Sequence, residues 1–275
     1  MEHVAHPFES PRHEFEAGKL GIWLFLMTEV LFFSGLFCAY GAFRSWRPEV
    51  FAWAHHFLDL RLGTLNTAVL LVSSLTAACA VRCAQLGARR GLVACLALTL
   101  ALSCAFLGVK ALEYRSKIHE GFLPGFRFQP SEHVWERPGF VSRHPEAAAY
   151  AEKVFQRAQA PVTSALSSGK PLPRPTRAEL DPLLAVGVLG PRAVHPTLPS
   201  MPQNAHVFFG LYFFMTGLHA VHVLAGAGVL GWLLVRARRG EFGPTYYGPV
   251  DYAALYWHLV DLVWIYLFPL LYLVH

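Results

Sequence analysis

The sequence is poor in charged residues, and this shortage decides the class of protein. Of its 275 residues only 15% are Asp, Glu, Lys or Arg, whereas 54% are hydrophobic and 14% are aromatic. A soluble domain usually carries about 25% charged residues. Together with a mean hydropathy of +0.37, this composition excludes an ordinary soluble domain and predicts an integral membrane protein.

Other signals are also missing. The five cysteines form no CxxC or CxxCH motif and all lie in apolar runs, which argues against disulfides, zinc knuckles and attached c-type haem. The first 19 residues are polar and mixed in charge, so we expect no secretory signal there. The sequence shows no internal repeat, and the paired repeats typical of many transporters are therefore not indicated.

Long apolar runs, by contrast, are frequent. A helix crosses the hydrocarbon core in about 20 residues, and it satisfies its backbone polar groups internally. The sequence therefore predicts an all-α membrane protein, a bundle of five transmembrane helices. Their ranges are 20–43, 62–86, 91–112, 205–235 and 252–274. We divide the chain into an N-terminal segment (1–19), three spans (20–112), a Pro-rich extramembrane insert (113–204) and two spans (205–275).

The positive charge sits at the ends of the apolar runs, where it predicts orientation in a membrane and not binding to nucleic acid. One side collects Arg12, Lys19, Arg82, Arg89, Arg90, Arg236, Arg238 and Arg239. This side is predicted to be cytoplasmic, with the N-terminus inside and the C-terminus and insert outside. The insert contains most of the 19 prolines, and only its stretch "HPEAAAYAEKVFQRAQA" has a helix-forming composition.

Ionisable residues within predicted spans are the candidate functional residues, because charge is costly in a membrane. Glu29 has only apolar residues at i±3 and i±4, so it either pairs with another helix or stays protonated. His219 and His222 share a face of the fourth span. A rise of about 1.5 Å per residue puts His222 at the depth of Glu29. We therefore predict that Glu29 pairs with His222, or with His219 one turn away.

The fifth span has its own polar pair. His258 and Asp261 are three residues apart, so Asp261 can accept a hydrogen bond from His258, and an indole N–H or a neighbouring subunit could supply a further one. At the outer end of the third span, Lys110 and Glu113 are predicted to form an interfacial ion pair of little energetic weight. We expect most of these residues to be structural, whereas for Glu29 a structural and a proton-linked role stay open.

Metal binding is not predicted. A mononuclear zinc or copper site needs three or four convergent ligands, and no such set is visible among the 14 histidines. A di-haem arrangement would need two matched histidine pairs, and the second pair is missing. A single haem b between His219 and His258 stays open as the hypothesis from another class, a haem-bearing membrane anchor.

Several phrases resemble subunit III of haem-copper oxidases, the cytochrome c oxidase group. The first span, "KLGIWLFLMTEVLFFSGLFCAY", is similar to the family's "K.GMWLF..SE..FF..F..AY" and puts the family's buried glutamate at Glu29. The second contains "LNTAVLLVSSLT" and the third ends in "KALEY". The fourth and fifth contain "FFMTGLHAVHVLAGAG" and "YWHLVDLVWIYLF". All five spans follow the family's order.

This resemblance implies an accessory subunit without haem or copper of its own, in a proton-pumping oxidase that reduces O2 to water. The implied partners are subunit I, subunit II, other oxidase subunits and structural phospholipids, with the insert available to a supercomplex partner. The implied location is a bacterial inner membrane. Glu29 would lie beside the two histidines of the fourth span, and His258 and Asp261 would help to fix helix packing.

Three residues and the insert depart from the family pattern. Lys110 replaces a Gln, and Ala220 replaces a Gly. Asp251, which we predict to be interfacial, stands at a position where many members have Glu. Five-span members usually have a short connection where this chain has its insert. The electron donor is not decided by these residues, so subunit III of a quinol oxidase, or of a nitric-oxide-reductase-associated homologue, stays open as the alternative.

Overall fold

The structure is a computed structural model that describes residues 10–124 and 204–273. Its described part contains a short helix, α2 (Pro48–Ala54), followed by a 3-10 turn (His55–Phe57), and five long helices. The long helices are α1 (Pro11–Trp46), α3 (Leu60–Gln85), α4 (Arg89–His119), α5 (Ala205–Arg239) and α6 (Gly248–Tyr272). All five are long and apolar enough to cross a membrane, which confirms the predicted five-span all-α architecture.

Three helices are longer than their apolar runs suggested. α1 begins at Pro11 and not near residue 20, α4 continues seven residues beyond 112 to His119, and α5 continues to Arg239. Polar helix ends of this kind project beyond the hydrocarbon core, so hydropathy alone does not detect them. Residues 125–203 of the predicted insert, including its helix-forming stretch, lie outside the described residues.

Local sequence explains where the helices start and stop. The carboxylate of Asp59 accepts hydrogen bonds from the backbone N–H groups of Arg61 and Leu62 and caps the start of α3. At the other end, Gly87 has φ +67°, and the next backbone N–H donates to Cys83. Gly240 ends α5 in the same way, with φ +80°. Only glycine adopts these angles without strain, so each glycine stops its helix.

The chain divides into two compact units. The described parts of the first are 10–42, 59–116 and 212–273, and they include most of the long helices. The second includes 43–58, 117–124 and 204–211. Its core is aromatic: Phe122 stacks on Phe209 with ring centres 4.3 Å apart, and the Phe57 ring centre lies 5.0 Å from that of Phe122.

Within the first unit, α3 and α6 pack closely and antiparallel. Gly63 makes this approach possible, because a Cβ there would lie 2.9 Å from the ring of Phe268. Trp257 and Trp264 are fully buried in α6. α1, by contrast, leaves large apolar side chains exposed, with Leu31 at 69% and Leu20 at 63%. This exposed face is available to lipid or to a partner subunit.

Candidate functional site: polar contacts between the spanning helices

Glu29 and His222 meet between α1 and α5. Glu29 Oε2 lies 2.8 Å from His222 Nε2, and both side chains are 18% exposed. This contact confirms the predicted pairing of Glu29 with His222 in place of His219. The edge of the Phe33 ring packs on the imidazole, with centres 5.2 Å apart, so an apolar neighbour helps to hold the histidine in place.

The geometry around His222 limits where its protons can be. His222 Nδ1 lies 2.9 Å from the carbonyl oxygen of Leu218, and a carbonyl oxygen can only accept a hydrogen bond. Nδ1 therefore carries a proton. The Nε2–Oε2 contact then needs one further proton, which belongs either to the imidazole or to the carboxyl of Glu29. The arrangement can hold a single proton between two side chains.

His219 lies in a different environment. It is 1% exposed, and its ring is packed between Phe106 and Trp264 at centre distances of 5.7 and 5.3 Å. Neither ring nitrogen meets a hydrogen-bond partner among the described residues. The two histidines of the "GLHAVH" phrase therefore have different surroundings, because His222 contacts a carboxylate and His219 packs against aromatic rings.

The expected contacts of Asp261 with His258 and with an indole are wrong. His258 Nδ1 instead lies 2.7 Å from the hydroxyl of Ser74 on α3. Asp261 is 3% exposed, and within the described part of the chain neither of its carboxylate oxygens has a hydrogen-bond partner. The predicted interaction failed because α3 supplies hydroxyl groups to α6, which intrahelical spacing does not reveal.

Two other α3 hydroxyls bind the two indoles of α6. Trp257 Nε1 donates to Ser73 Oγ at 2.9 Å, and Trp264 Nε1 donates to Thr67 Oγ1 at 3.0 Å. The sequence contained only a partial signal for this: Thr67 and Ser73 are six residues apart, and Trp257 and Trp264 are seven. At a rise of about 1.5 Å per residue the two pairs span similar lengths of helix.

The largest correction concerns the small energetic weight expected of the Lys110–Glu113 pair, because both side chains are buried within the protein. Their side chains are 4% and 2% exposed, and Lys110 Nζ lies 2.9 Å from Glu113 Oε2. Lys110 Nζ also donates to the hydroxyls of Tyr212 (3.2 Å) and Tyr272 (3.0 Å). These hydroxyls donate in turn to Glu113 Oε1, at 2.7 and 2.6 Å. We call this four-residue group the lysine–tyrosine cluster.

The lysine–tyrosine cluster links three helices, since its members come from α4, α5 and α6. The ammonium group also lies over aromatic rings, 5.1 Å from the ring centre of Trp264. Intrahelical spacing showed the i, i+3 ion pair but not the two tyrosines, which come from positions about 100 and 160 residues away in the sequence. Their hydroxyls explain how a charge pair is accommodated inside a membrane protein.

Asp251, at the start of α6, lies opposite α1. Its Oδ2 is 3.3 Å from Lys19 Nζ. The neighbouring Tyr252 hydroxyl donates to the carbonyl of Phe15 at 2.8 Å. Gly18 leaves the space for that ring, because a Cβ there would lie 2.5 Å from the Tyr252 hydroxyl. The predicted interfacial residue thus forms part of the contact between α1 and α6.

Apart from His219 and Asp261, the named polar residues connect helices through hydrogen bonds or ion pairs. Over residues 10–124 and 204–273, no three His, Cys, Asp or Glu side chains converge as metal ligands would. The chemistry that the described arrangement supports is proton holding at Glu29 and His222, and charge-assisted hydrogen bonding in the lysine–tyrosine cluster.

Comparison with known proteins gives a consistent result. The family model described as cytochrome c oxidase subunit III matches residues 12–120 and 183–275. The chain is 23% identical to quinol oxidase subunit 3 of Bacillus subtilis over 99% of this chain and 97% of that protein. It is 24% identical to the probable cytochrome c oxidase subunit 3 of Nocardia farcinica, over 93% of this chain and 87% of the relative. It is also 24% identical to the pig cytochrome c oxidase subunit 3, over 92% of this chain and 68% of that protein.

Proposed function

Because the chain belongs to the cytochrome c oxidase subunit III family and is subunit III of a haem-copper oxidase, we propose that its role there is accessory. In this proposal it holds the catalytic subunit in place and supports proton uptake, and the redox centres, haem and copper, reside in partner subunits. The observation that carries the proposal is the Glu29–His222 contact at 2.8 Å, a proton-holding pair that joins α5 to α1, the most exposed of the described spanning helices.

The exposed face of α1 supports a docking role. Leu20, Leu24 and Leu31 are 63%, 62% and 69% exposed, so this helix buries little against its own chain. We assign the face to contact with subunit I and with structural phospholipids. Contacts with subunit II and with a supercomplex partner, the latter through the insert, complete the proposed set of partners.

The proposed location is a bacterial inner membrane, with the N-terminus in the cytoplasm and the insert and C-terminus in the periplasm. Its support is the distribution of Lys and Arg, because short cytoplasmic loops carry an excess of both. If a membrane-impermeant reagent labels a C-terminal tag but not an N-terminal tag in intact cells whose outer membrane is permeable to it, the result agrees with this orientation. Labelling of an N-terminal tag in intact cells would contradict it.

The quinol oxidase alternative has one specific observation in its favour. A relative named as a quinol oxidase subunit matches 99% of this chain, a coverage as complete as that of the cytochrome c oxidase relatives. Both readings share the fold and the accessory role, and they differ in the electron donor of the complex. Turnover of the purified complex with reduced cytochrome c and with a quinol separates them.

The main test is purification through a tag on this chain in a mild detergent, followed by subunit identification and a redox difference spectrum. We expect a large catalytic subunit to co-purify with haem, while this chain, once dissociated from the complex, has no haem absorbance. If the dissociated chain itself carries a b-type spectrum, the accessory role is wrong and His219 and His258 become candidate ligands.

A further inference from the structure

Three of the five cysteines lie at one end of the hairpin formed by α3 and α4. Cys79 and Cys83 lie in the last two turns of α3, four residues apart, and therefore share a face of that helix. Cys95 lies in the second turn of α4. We call these three residues the thiol group. Cys38 on α1 and Cys104 further along α4 are not part of it.

Contacts on both sides of Cys95 fix how the two helices face each other. The Cys83 sulfur lies against the backbone of Gly91, because a Cβ at Gly91 would lie 2.8 Å from it. Two turns along the hairpin, Thr76 Oγ1 lies 2.8 Å from Thr99 Oγ1. Cys95 is four residues from Gly91 and four from Thr99. It therefore lies on the stripe of α4 that faces α3.

The thiols of Cys83 and Cys95 are in contact across this interface. They share a weak hydrogen bond, and the Cys79 thiol lies within electrostatic range of Cys95. All three are free thiols, Cys79 exposed and the other two partly exposed. Within residues 10–124 and 204–273 no three such side chains converge as metal ligands would. Two neighbouring thiols can instead be oxidised together to a disulfide.

The position of the thiol group indicates a reversible bond and not a permanent one. This end of the hairpin carries Arg82, Arg89 and Arg90 and is the side that we propose to be cytoplasmic. Disulfides in a reducing cytosol are usually transient, catalytic or redox-sensing. Cys83 lies two residues before the end of α3 at Gln85, so an oxidant from the aqueous side meets it first. No CxxC motif announces the pair, because its members come from two helices.

We propose that Cys83 and Cys95 form a reversible oxidation site, in which a hydroperoxide such as hydrogen peroxide converts the two thiols to a disulfide. The Cys83 sulfur attacks a peroxide oxygen, the O–O bond breaks, and a sulfenic acid and one water form. The Cys95 sulfur then attacks the Cys83 sulfur, the S–S bond forms, and the S–O bond breaks to release a second water. Two electrons and two protons pass from the thiols to the peroxide, and a small thiol reverses the modification by exchange.

The test uses the whole oxidase, purified through this chain with its thiols reduced. It is treated with hydrogen peroxide, its free thiols are alkylated with N-ethylmaleimide, and its peptides are identified by mass spectrometry. We expect this chain to lose two labels, to yield a peptide linking Cys83 to Cys95, and to regain both labels after dithiothreitol. In Cys83→Ser the label at Cys95 should be retained. The matched control Cys104→Ser, which removes a thiol from the same helix as Cys95, should still give the linked peptide.

Three results would overturn the inference. Full labelling of Cys83 and Cys95 after peroxide treatment would show that the pair is not oxidised. Sulfinic or sulfonic acid at either sulfur, without a linked peptide, would show that the thiols react singly. A peptide linking Cys79 to Cys95 would assign the bond to the wrong residue of α3. None of these results affects the proposed accessory role, which is tested by the subunits and haem that co-purify.

Discussion

The lysine–tyrosine cluster and the Glu29–His222 pair are two ways of placing ionisable side chains among membrane helices. In the first, Lys110 and Glu113 are almost fully buried, and two tyrosine hydroxyls complete their hydrogen bonding. In the second, both side chains are 18% exposed and share one contact. The comparison indicates that full burial of charge requires partners from several helices, whereas a partly exposed pair is accommodated by one contact between two helices.

Removing the lysine should have the largest effect. Lys110→Met leaves the carboxylate of Glu113 buried without its counter-charge, and we expect a loss of about 3–5 kcal/mol in the free energy of unfolding. The measurement is the fraction of this chain that stays soluble when the purified oxidase is heated. The control is Lys19→Met, whose pair with Asp251 is partly exposed and should contribute less than about 1 kcal/mol.

A double variant makes this prediction more specific. Lys110→Gln/Glu113→Gln removes both charges and keeps hydrogen-bonding groups, so it should recover most of the stability lost in Lys110→Met. If the double variant is as unstable as Lys110→Met, packing of the lysine stem and not charge compensation explains the loss.

Removing one tyrosine hydroxyl should have an intermediate effect. Tyr272→Phe removes two hydrogen bonds to charged groups, one to Glu113 and one from Lys110. The expected loss is about 1.5–3 kcal/mol in the free energy of unfolding. The same heating assay applies. Tyr266→Phe is the matched control, because its ring lies on the same helix at 57% exposure. Equal losses in the two variants would argue against the cluster as a stabilising unit.

Changing the partly exposed pair should affect stability least and proton chemistry most. Glu29→Gln keeps a side chain of the same shape that can still hydrogen-bond His222, so we expect a stability loss of about 1 kcal/mol or less. Oxidase turnover, and the pH at which it declines, should change because the shared proton is lost. Glu16→Gln, on the exposed start of the same helix, is the control for charge alone.

A large loss of stability in Glu29→Gln with unchanged turnover would contradict the distinction between a stabilising buried cluster and a proton-holding, partly exposed pair. Glu29 would then be a structural residue of the same kind as Glu113, and the partial exposure of the pair would have no functional meaning. Unchanged stability together with unchanged turnover and pH profile would remove Glu29 from the proposed function, while family membership would stand on the sequence match alone.

The amino-acid sequence by itself determined the class, the number of spans and the depth at which Glu29 and His222 meet. These properties depend on run length and on rise per residue, which are local quantities. Two intrahelical expectations had different outcomes. The Lys110–Glu113 pair is present because both residues lie on one helix turn, whereas Asp261 does not bind His258 because a closer partner, Ser74, comes from another helix.

Only the tertiary structure decided which residues are buried and which hydroxyls serve as partners. The lysine–tyrosine cluster combines residues from α4, α5 and α6, and the start of α4 meets the end of α5 where the Arg89 guanidinium donates to the backbone carbonyl of Arg238. Neither could be obtained from periodicity, because the rotation of one helix relative to another is set by side-chain packing along the whole contact, such as Trp257 and Trp264 against α3. Local pattern specifies a helix face, and packing selects what that face meets.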